Sequence, residues 1–142
     1  MLINNNIIGY NYFNNMNEIN KQNIISYKSL NRLIKEFKLC SEDEDLSQII
    51  TKFELEKENN FYKWIVSMKG GIGSPYEGGL FKISIEFPND YPNHGPTFTF
   101  INKIYHTCVN LTEHYIKGFI CLSSTNEWRI TGKVKNRKIF MV

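Results

Sequence analysis

Residues 80–87 limit the possible folds more than any other part of this sequence, because an apolar side chain stands at every second position along them. Every odd-numbered position is apolar: Phe81, Ile83, Ile85 and Phe87. The even-numbered positions include a lysine, a serine and a glutamate. Successive side chains of a β-strand point to opposite faces of its sheet. The pattern therefore predicts a strand with one buried face and one polar face.

A helical pattern precedes this strand, and other strand-like segments surround it. After Ser26, a candidate N-cap, apolar residues recur at the spacing of one helix face: Leu30, Leu33, Ile34 and Phe37. Strand-like segments occupy about 49–56, 61–68 and 97–101, with turns rich in Asn, Gly and Pro between them. The order predicts an α+β fold, an N-terminal helix packed on a four-stranded antiparallel meander.

Length and composition favour one intracellular domain. The 142 residues suffice for a single core, and nine asparagines in residues 1–25 predict a flexible extension before a core domain at 26–142. A net charge of +3 does not demand a nucleic-acid partner. Three cysteines without framework spacing argue against a disulfide-built domain, and we recognise neither a signal peptide nor a membrane span. We expect a soluble cytoplasmic and/or nuclear protein that does not act at membranes.

Several short motifs follow one another in an order that resembles the core of ubiquitin-conjugating enzymes, over about residues 26–131. They are Trp64, Gly70, SPYEGG at 74–79, the strand 80–87, YPNHGP at 91–96, FTF at 98–100, IYH at 104–106, GFICL at 118–122 and Trp128. The resemblance implies the fold of that family. The sequence ends at Val142, so we expect most of the family's C-terminal helices to be missing, as in a truncated copy.

The resemblance also implies a catalytic site around Cys121. A thiolate suits this position because it is both a good nucleophile and a good leaving group, as carrying a modifier by a thioester requires. His106 matches the histidine of the family's His-Pro-Asn triplet, which organises the loop beside the cysteine, but Thr107 and Cys108 replace its other two residues. We therefore take Asn110 as the candidate amide donor to the oxyanion, with a surface turn asparagine as the alternative. We expect Cys108 to be a packing residue.

Partners follow from the same resemblance. Lys28, Arg32 and Lys35 share one helix face, which in the family meets the activating enzyme; a solvated charged face is the alternative. Loops carrying Asn93, Trp128 and Arg129 correspond to ligase-binding loops. The expected partners are ubiquitin or a ubiquitin-like modifier, the activating enzyme, a ligase and a substrate lysine. The activating enzyme consumes the ATP, so we expect this chain to need no cofactor of its own.

Three other functions compete with this interpretation. A cysteine hydrolase could combine Cys121 with His106 or His114 and with Asn110, but the spacing does not reveal the required geometry. A zinc site at His106, Cys108, His114 and Cys121 lacks the paired ligand spacing of structural zinc, so no metal site is expected. The third alternative is a weak or inactive conjugating-enzyme-like module that binds ubiquitin or a protein partner.

Overall fold

The computed structural model of this protein describes residues 4–112 and 117–121, which form a long helix followed by a sheet. The elements in chain order are α1 (Asn4–Ser41), α2 (Glu44–Ser47), β1 (Ile50–Leu55), β2 (Lys63–Lys69), β3 (Leu80–Glu86) and β4 (Thr97–Phe100). The strands pair antiparallel in the order β1-β2-β3-β4, which is a meander. The predicted α+β architecture is thus confirmed, and each strand begins and ends within two residues of its predicted bounds.

The core lies between the C-terminal part of α1 and one face of the sheet. Leu33 of α1 and Trp64 of β2 are both fully buried. The Trp64 ring lies 5.3 Å from that of Phe37 and 4.4 Å from that of Phe87, between centroids. Its Nε1 donates to the carbonyl of Phe61 at 2.7 Å, so the buried indole has a partner for its polar atom. These contacts hold α1 against the sheet.

The start of α1 differs from the prediction. The helix begins at Asn4, so Ser26 lies within it and the predicted N-cap is wrong. Instead, the Ser26 carbonyl accepts a hydrogen bond of 3.0 Å from the Tyr62 hydroxyl. Helix propagation is cooperative, so a segment nucleated by packing extends into residues of modest propensity such as asparagine. The division into a flexible extension at 1–25 and a core at 26–142 stays a prediction.

Among the described residues, none of the helices has both the length and the apolar character that crossing a membrane would require.

Candidate active site

Two short strand-like segments extend the sheet beyond β4 and position the cysteine. Residues 118–121 lie along β4, where the Phe100 amide donates to Gly118 O at 2.8 Å and the Ile120 amide donates to Phe98 O at 2.9 Å. Their other edge pairs with residues 108–110 through an antiparallel bridge between Val109 and Ile120. Both bridge residues are buried. The segment that ends at Cys121 is therefore held from both sides.

Gly118 permits the close approach of this segment to β4. Its backbone φ of +82° lies in the left-handed region, which residues other than glycine rarely adopt. A Cβ at this position would lie 2.3 Å from the Phe100 carbonyl oxygen. Cβ atoms in proteins essentially never lie within 3.0 Å of such an atom. Glycine is therefore required here by both the conformation and the space.

Cys121 is exposed and lies directly across from Cys108. The Cys121 amide donates to the Cys108 carbonyl at 2.8 Å, one residue beyond the Val109–Ile120 bridge. Because alternate residues of a strand face opposite ways, both cysteines lie on the solvent face while the bridge residues face the core. Cys108 is indeed exposed, so the prediction of a packing role is wrong. The alternation of Cys108 with the apolar Val109 was the sequence signal for this orientation.

His106 ties together the loop that leads to Cys108. Its Nδ1 accepts a hydrogen bond of 3.1 Å from the Cys108 amide, and its carbonyl accepts one of 3.0 Å from the Val109 amide. The imidazole lies 5.9 Å from the Tyr76 ring between centroids, and the Tyr76 hydroxyl donates to Tyr105 O. This geometry suits a histidine that organises the loop. A catalytic contribution of His106 stays a prediction.

Asn110 lies on the same segment as Cys108, two residues further along. Its amide donates to Phe119 O at 2.9 Å, and its carbonyl accepts from the Gly118 amide at 2.8 Å. The side-chain Oδ1 accepts from both the amide and the hydroxyl of Thr112, at 3.1 and 2.8 Å. Within the described part of the chain, its buried Nδ2 has no hydrogen-bond partner. Among the described residues Asn110 thus keeps an unused donor, two positions along the segment from Cys108. Its predicted role stays a prediction.

The three basic residues of α1 lie together, but they differ in their surroundings. Lys28, Arg32 and Lys35 line a shallow groove on the helix. Lys28 and Lys35 are exposed. Arg32 instead forms a salt bridge of 2.7 Å with Glu36 and lies over the Tyr91 ring, 5.3 Å from its centroid. Arg32 therefore also supports the fold, whereas the two lysines present their charges to solvent.

Tyr91 links the basic helix to the loop that carries Asn93. The Tyr91 side chain is buried, and its hydroxyl donates to Glu36 Oε2 at 2.6 Å. Asn93 is exposed in the same loop, where its amide donates to Asp90 O at 2.9 Å. Sequence reasoning missed this link, because Tyr91 and Glu36 are 55 positions apart. It couples the two surfaces that the resemblance assigns to partners.

Replacing Tyr91 by phenylalanine should lower the free energy of unfolding by about 1–3 kcal/mol, because Glu36 loses a charge-assisted hydrogen bond. Burial, and then the bond to Glu36, raises the pKa of Tyr91 above its ordinary value of 10.0. Above about pH 10 the unfolded chain releases this proton while the folded chain keeps it. The stabilisation is therefore present below pH 10 and is lost as the pH rises. Urea unfolding at pH 8 and 10.5 should show that the difference in free energy of unfolding between the wild type and Tyr91→Phe is smaller at the higher pH. An unchanged difference would contradict the raised pKa of Tyr91.

Three predicted residues lie outside the part of the chain that the structure describes: His114, Trp128 and Arg129. Within residues 4–112 and 117–121, no group of three or more His, Cys, Asp or Glu side chains is arranged to hold a metal ion. The structure thus brings Cys121, Cys108, His106 and Asn110 to one edge of the sheet and places the basic groove on α1.

Comparisons with known proteins agree on one family. The family model described as "Ubiquitin-conjugating enzyme" matches residues 32–141. The Arabidopsis thaliana protein named "Probable ubiquitin-conjugating enzyme E2 31" is 38% identical over 96 residues, which are 68% of this chain and 56% of the relative. The Dictyostelium discoideum ubiquitin-conjugating enzyme E2 pex4 is 35% identical over 91 residues, 64% of this chain and 56% of the relative. The chain thus spans little more than half the length of these curated relatives.

A solved structure supports the same relationship in three dimensions. Human ubiquitin-conjugating enzyme E2 G1 superposes with a TM-score of 0.59 at 30% sequence identity. The match covers 69% of this chain and 73% of the human chain.

Proposed function

This chain belongs to the family of ubiquitin-conjugating enzymes, which are transferases of the ubiquitin pathway, and we propose that it carries ubiquitin or a ubiquitin-like modifier as a thioester on Cys121. The observation that carries the proposal is the position of Cys121. It is an exposed thiol at the end of a segment hydrogen-bonded on both edges. A nucleophile on such a support can meet a large protein partner without a change in the fold.

The reaction has two acyl transfers. The Cys121 thiolate attacks the thioester carbonyl on the activating enzyme, and the thiolate of that enzyme leaves. The amine of a substrate lysine then attacks the Cys121 thioester; Cys121 leaves as a thiolate, and the amine nitrogen loses a proton to solvent. Both transfers pass through an oxyanion that an amide donor can stabilise. Within residues 4–112 and 117–121 the buried Nδ2 of Asn110 has no hydrogen-bond partner, and this supports our assignment of Asn110 to this role in the second transfer.

We assign the partners to the two surfaces that Tyr91 connects, the basic groove of α1 and the loop that carries Asn93. We assign the activating enzyme to the groove of Lys28, Arg32 and Lys35, because the two exposed lysines can meet an acidic partner. The exposed Asn93 belongs to the proposed ligase surface. The resemblance also assigns Trp128 and Arg129 to ligase binding, and both lie outside the described residues. Since Arg32 is held by Glu36, Lys28 and Lys35 supply most of the attraction.

A charging assay tests the proposal. The purified chain, after its fold is verified by near-ultraviolet circular dichroism, is mixed with ubiquitin, activating enzyme and ATP and run on a gel without reductant. We expect a band heavier by one ubiquitin that disappears when reductant is added. The folded chain's failure to form this band with ubiquitin or a ubiquitin-like modifier would overturn the proposal and favour a module that only binds a partner.

Replacing Asn110 by alanine should leave loading of Cys121 intact and slow discharge to free lysine by about 100–1,000-fold, because the oxyanion loses a donor. Single-turnover discharge, followed after the activating enzyme is stopped, separates the two steps. Thr112→Val is the matched control, since it removes a hydrogen bond to Asn110 Oδ1 but keeps Nδ2. An equal loss in both variants would indicate that Asn110 only braces the loop, and unchanged discharge would remove it from the mechanism.

A further inference from the structure

The pairing of residues 108–110 with 118–121 places two thiols opposite each other. The bridge between Val109 and Ile120 puts Cys108 across from Cys121, and the hydrogen bond of 2.8 Å between their backbones confirms this register. Residues directly opposite in an antiparallel pair lie on the same face. Because the bridge residues face the core, both thiols face solvent.

This arrangement meets the distance requirement of a disulfide. Opposed residues of antiparallel strands have Cα atoms about 4.5–5.5 Å apart, and disulfides span Cα separations of about 4.4–6.8 Å. The Cβ atoms of opposed residues lie about 4.5–5.5 Å apart, against about 3.8 Å in a disulfide. Closing the bond therefore draws the two side chains together by about 1 Å. Neither side chain has to leave a packed core, because both are exposed.

We propose that Cys108 and Cys121 form a reversible intramolecular disulfide, which makes this pair a site of oxidative modification by low-molecular-weight disulfides. The consequence for activity rests on the proposed function: a Cys121 engaged with Cys108 cannot accept a modifier. Cys108 then acts as a resolving thiol. It displaces the small thiol from the mixed disulfide on Cys121 and leaves an intramolecular disulfide, which cellular thiols can reduce.

The chemistry consists of two thiol–disulfide exchanges. The Cys121 thiolate attacks one sulfur of a disulfide such as glutathione disulfide, forming a mixed disulfide and releasing one glutathione thiolate. The Cys108 thiolate then attacks the Cys121 sulfur, the Cys108–Cys121 bond forms, and the second glutathione leaves. In total the two protein thiols lose two electrons and two protons, and glutathione disulfide is reduced to two glutathione molecules. Either protein thiolate can attack the glutathione disulfide first without a change in this balance.

The test is a redox titration of the full chain in buffers of glutathione and glutathione disulfide, followed by acid quenching and intact mass spectrometry. We expect the wild-type chain to become lighter by two hydrogens without retaining glutathione. Digestion should then yield a peptide that links Cys108 to Cys121. Cys108→Ser should retain one glutathione on Cys121, because its mixed disulfide has no neighbouring thiol to resolve it. Cys40→Ser is the matched control and should behave like the wild type, since Cys40 lies in α1.

Two results would overturn the proposal. One is a wild-type chain that accumulates the glutathione adduct on Cys121 as fully as Cys108→Ser does. The other is a linked peptide that contains Cys40 in place of Cys108. Because these readouts are masses of the protein itself, they do not depend on charging. A chain that forms the disulfide but never charges when reduced would contradict the proposed function and would still support the proposed disulfide.

Charging provides the second readout for a chain that is active when reduced. The oxidised wild type, freed of small thiols, should charge at least about 10-fold less than the reduced protein, since only the reduced fraction can react. Brief treatment with dithiothreitol, removed before the assay, should restore it. Undiminished charging of a chain that carries the Cys108–Cys121 bond would overturn the claim that the bond blocks the site.

Discussion

Replacing Cys121 by serine should convert the charged product from a thioester that reductant cleaves into an oxyester that reductant leaves intact. The serine hydroxyl is a weaker nucleophile and its alkoxide is a poorer leaving group, so loading slows and discharge to lysine falls further. Gels run with and without reductant, followed by addition of free lysine, measure both effects. We expect the wild-type band to vanish with either treatment and the serine band to persist through both.

Two other variants show whether the acceptor is this particular thiol. Cys121→Ala should abolish the product entirely. Cys108→Ser should keep a reductant-sensitive band, because the proposed acceptor Cys121 is unchanged. Cys108 is the informative residue for this test, since it lies across from Cys121. Two outcomes would indicate that Cys108 is the acceptor instead. One is a reductant-sensitive band from Cys121→Ala, and the other is the absence of that band from a folded Cys108→Ser protein.

Replacing Gly118 by alanine should lower the free energy of unfolding by about 2–5 kcal/mol, the sum of a left-handed backbone strain and an overpacked contact. The new Cβ would press on the Phe100 carbonyl, at 2.3 Å in the present geometry. To relieve this contact, the segment ending at Cys121 must shift away from β4. Charging should therefore fall even where the rest of the sheet remains folded. Urea unfolding and the charging rate measure the two effects.

Gly73 offers a matched control for this substitution. Its φ of +76° is close to that of Gly118, but a Cβ at Gly73 would meet no atom within 4 Å. Gly73→Ala should therefore cost only the backbone strain, about 1–2 kcal/mol, and should leave charging unchanged. Equal losses in the two variants would mean that the contact with Phe100 is relieved without cost.

Local periodicity was enough to predict the C-terminal part of α1 and the four strands, although not the short helix α2. The alternation of residues 80–87 corresponds to β3, whose Ile85 is fully buried. The helical spacing placed Leu33 and Phe37 against the sheet, as the structure has them. Such patterns succeed because burial of one face imposes the same period on sequence and structure. Ile34 is an exception, since it shares the predicted stripe but is 40% exposed.

The errors concern properties that depend on distant segments. Ser26 has the chemistry of an N-cap, but the helix continues past it to Asn4, and propensity does not reveal where a packed helix begins. Cys108 has the chemistry of a small buried residue, but pairing with Cys121 turns its side chain to solvent. In both cases the residue type was compatible with two environments.

The sequence by itself determined the order of helix and strands, the family, and Cys121 as the candidate nucleophile, because periodicity and motif order are local properties of the chain. Only the tertiary structure decided that Cys108 lies across from Cys121 and that Tyr91 reaches Glu36. The physical reason is register. Hydrogen bonds to β4 position residues 118–121, and these in turn select the partners of residues 108–110. A shift by one residue would exchange the buried and exposed faces, so the positions of these thiols depend on the packing of the whole sheet.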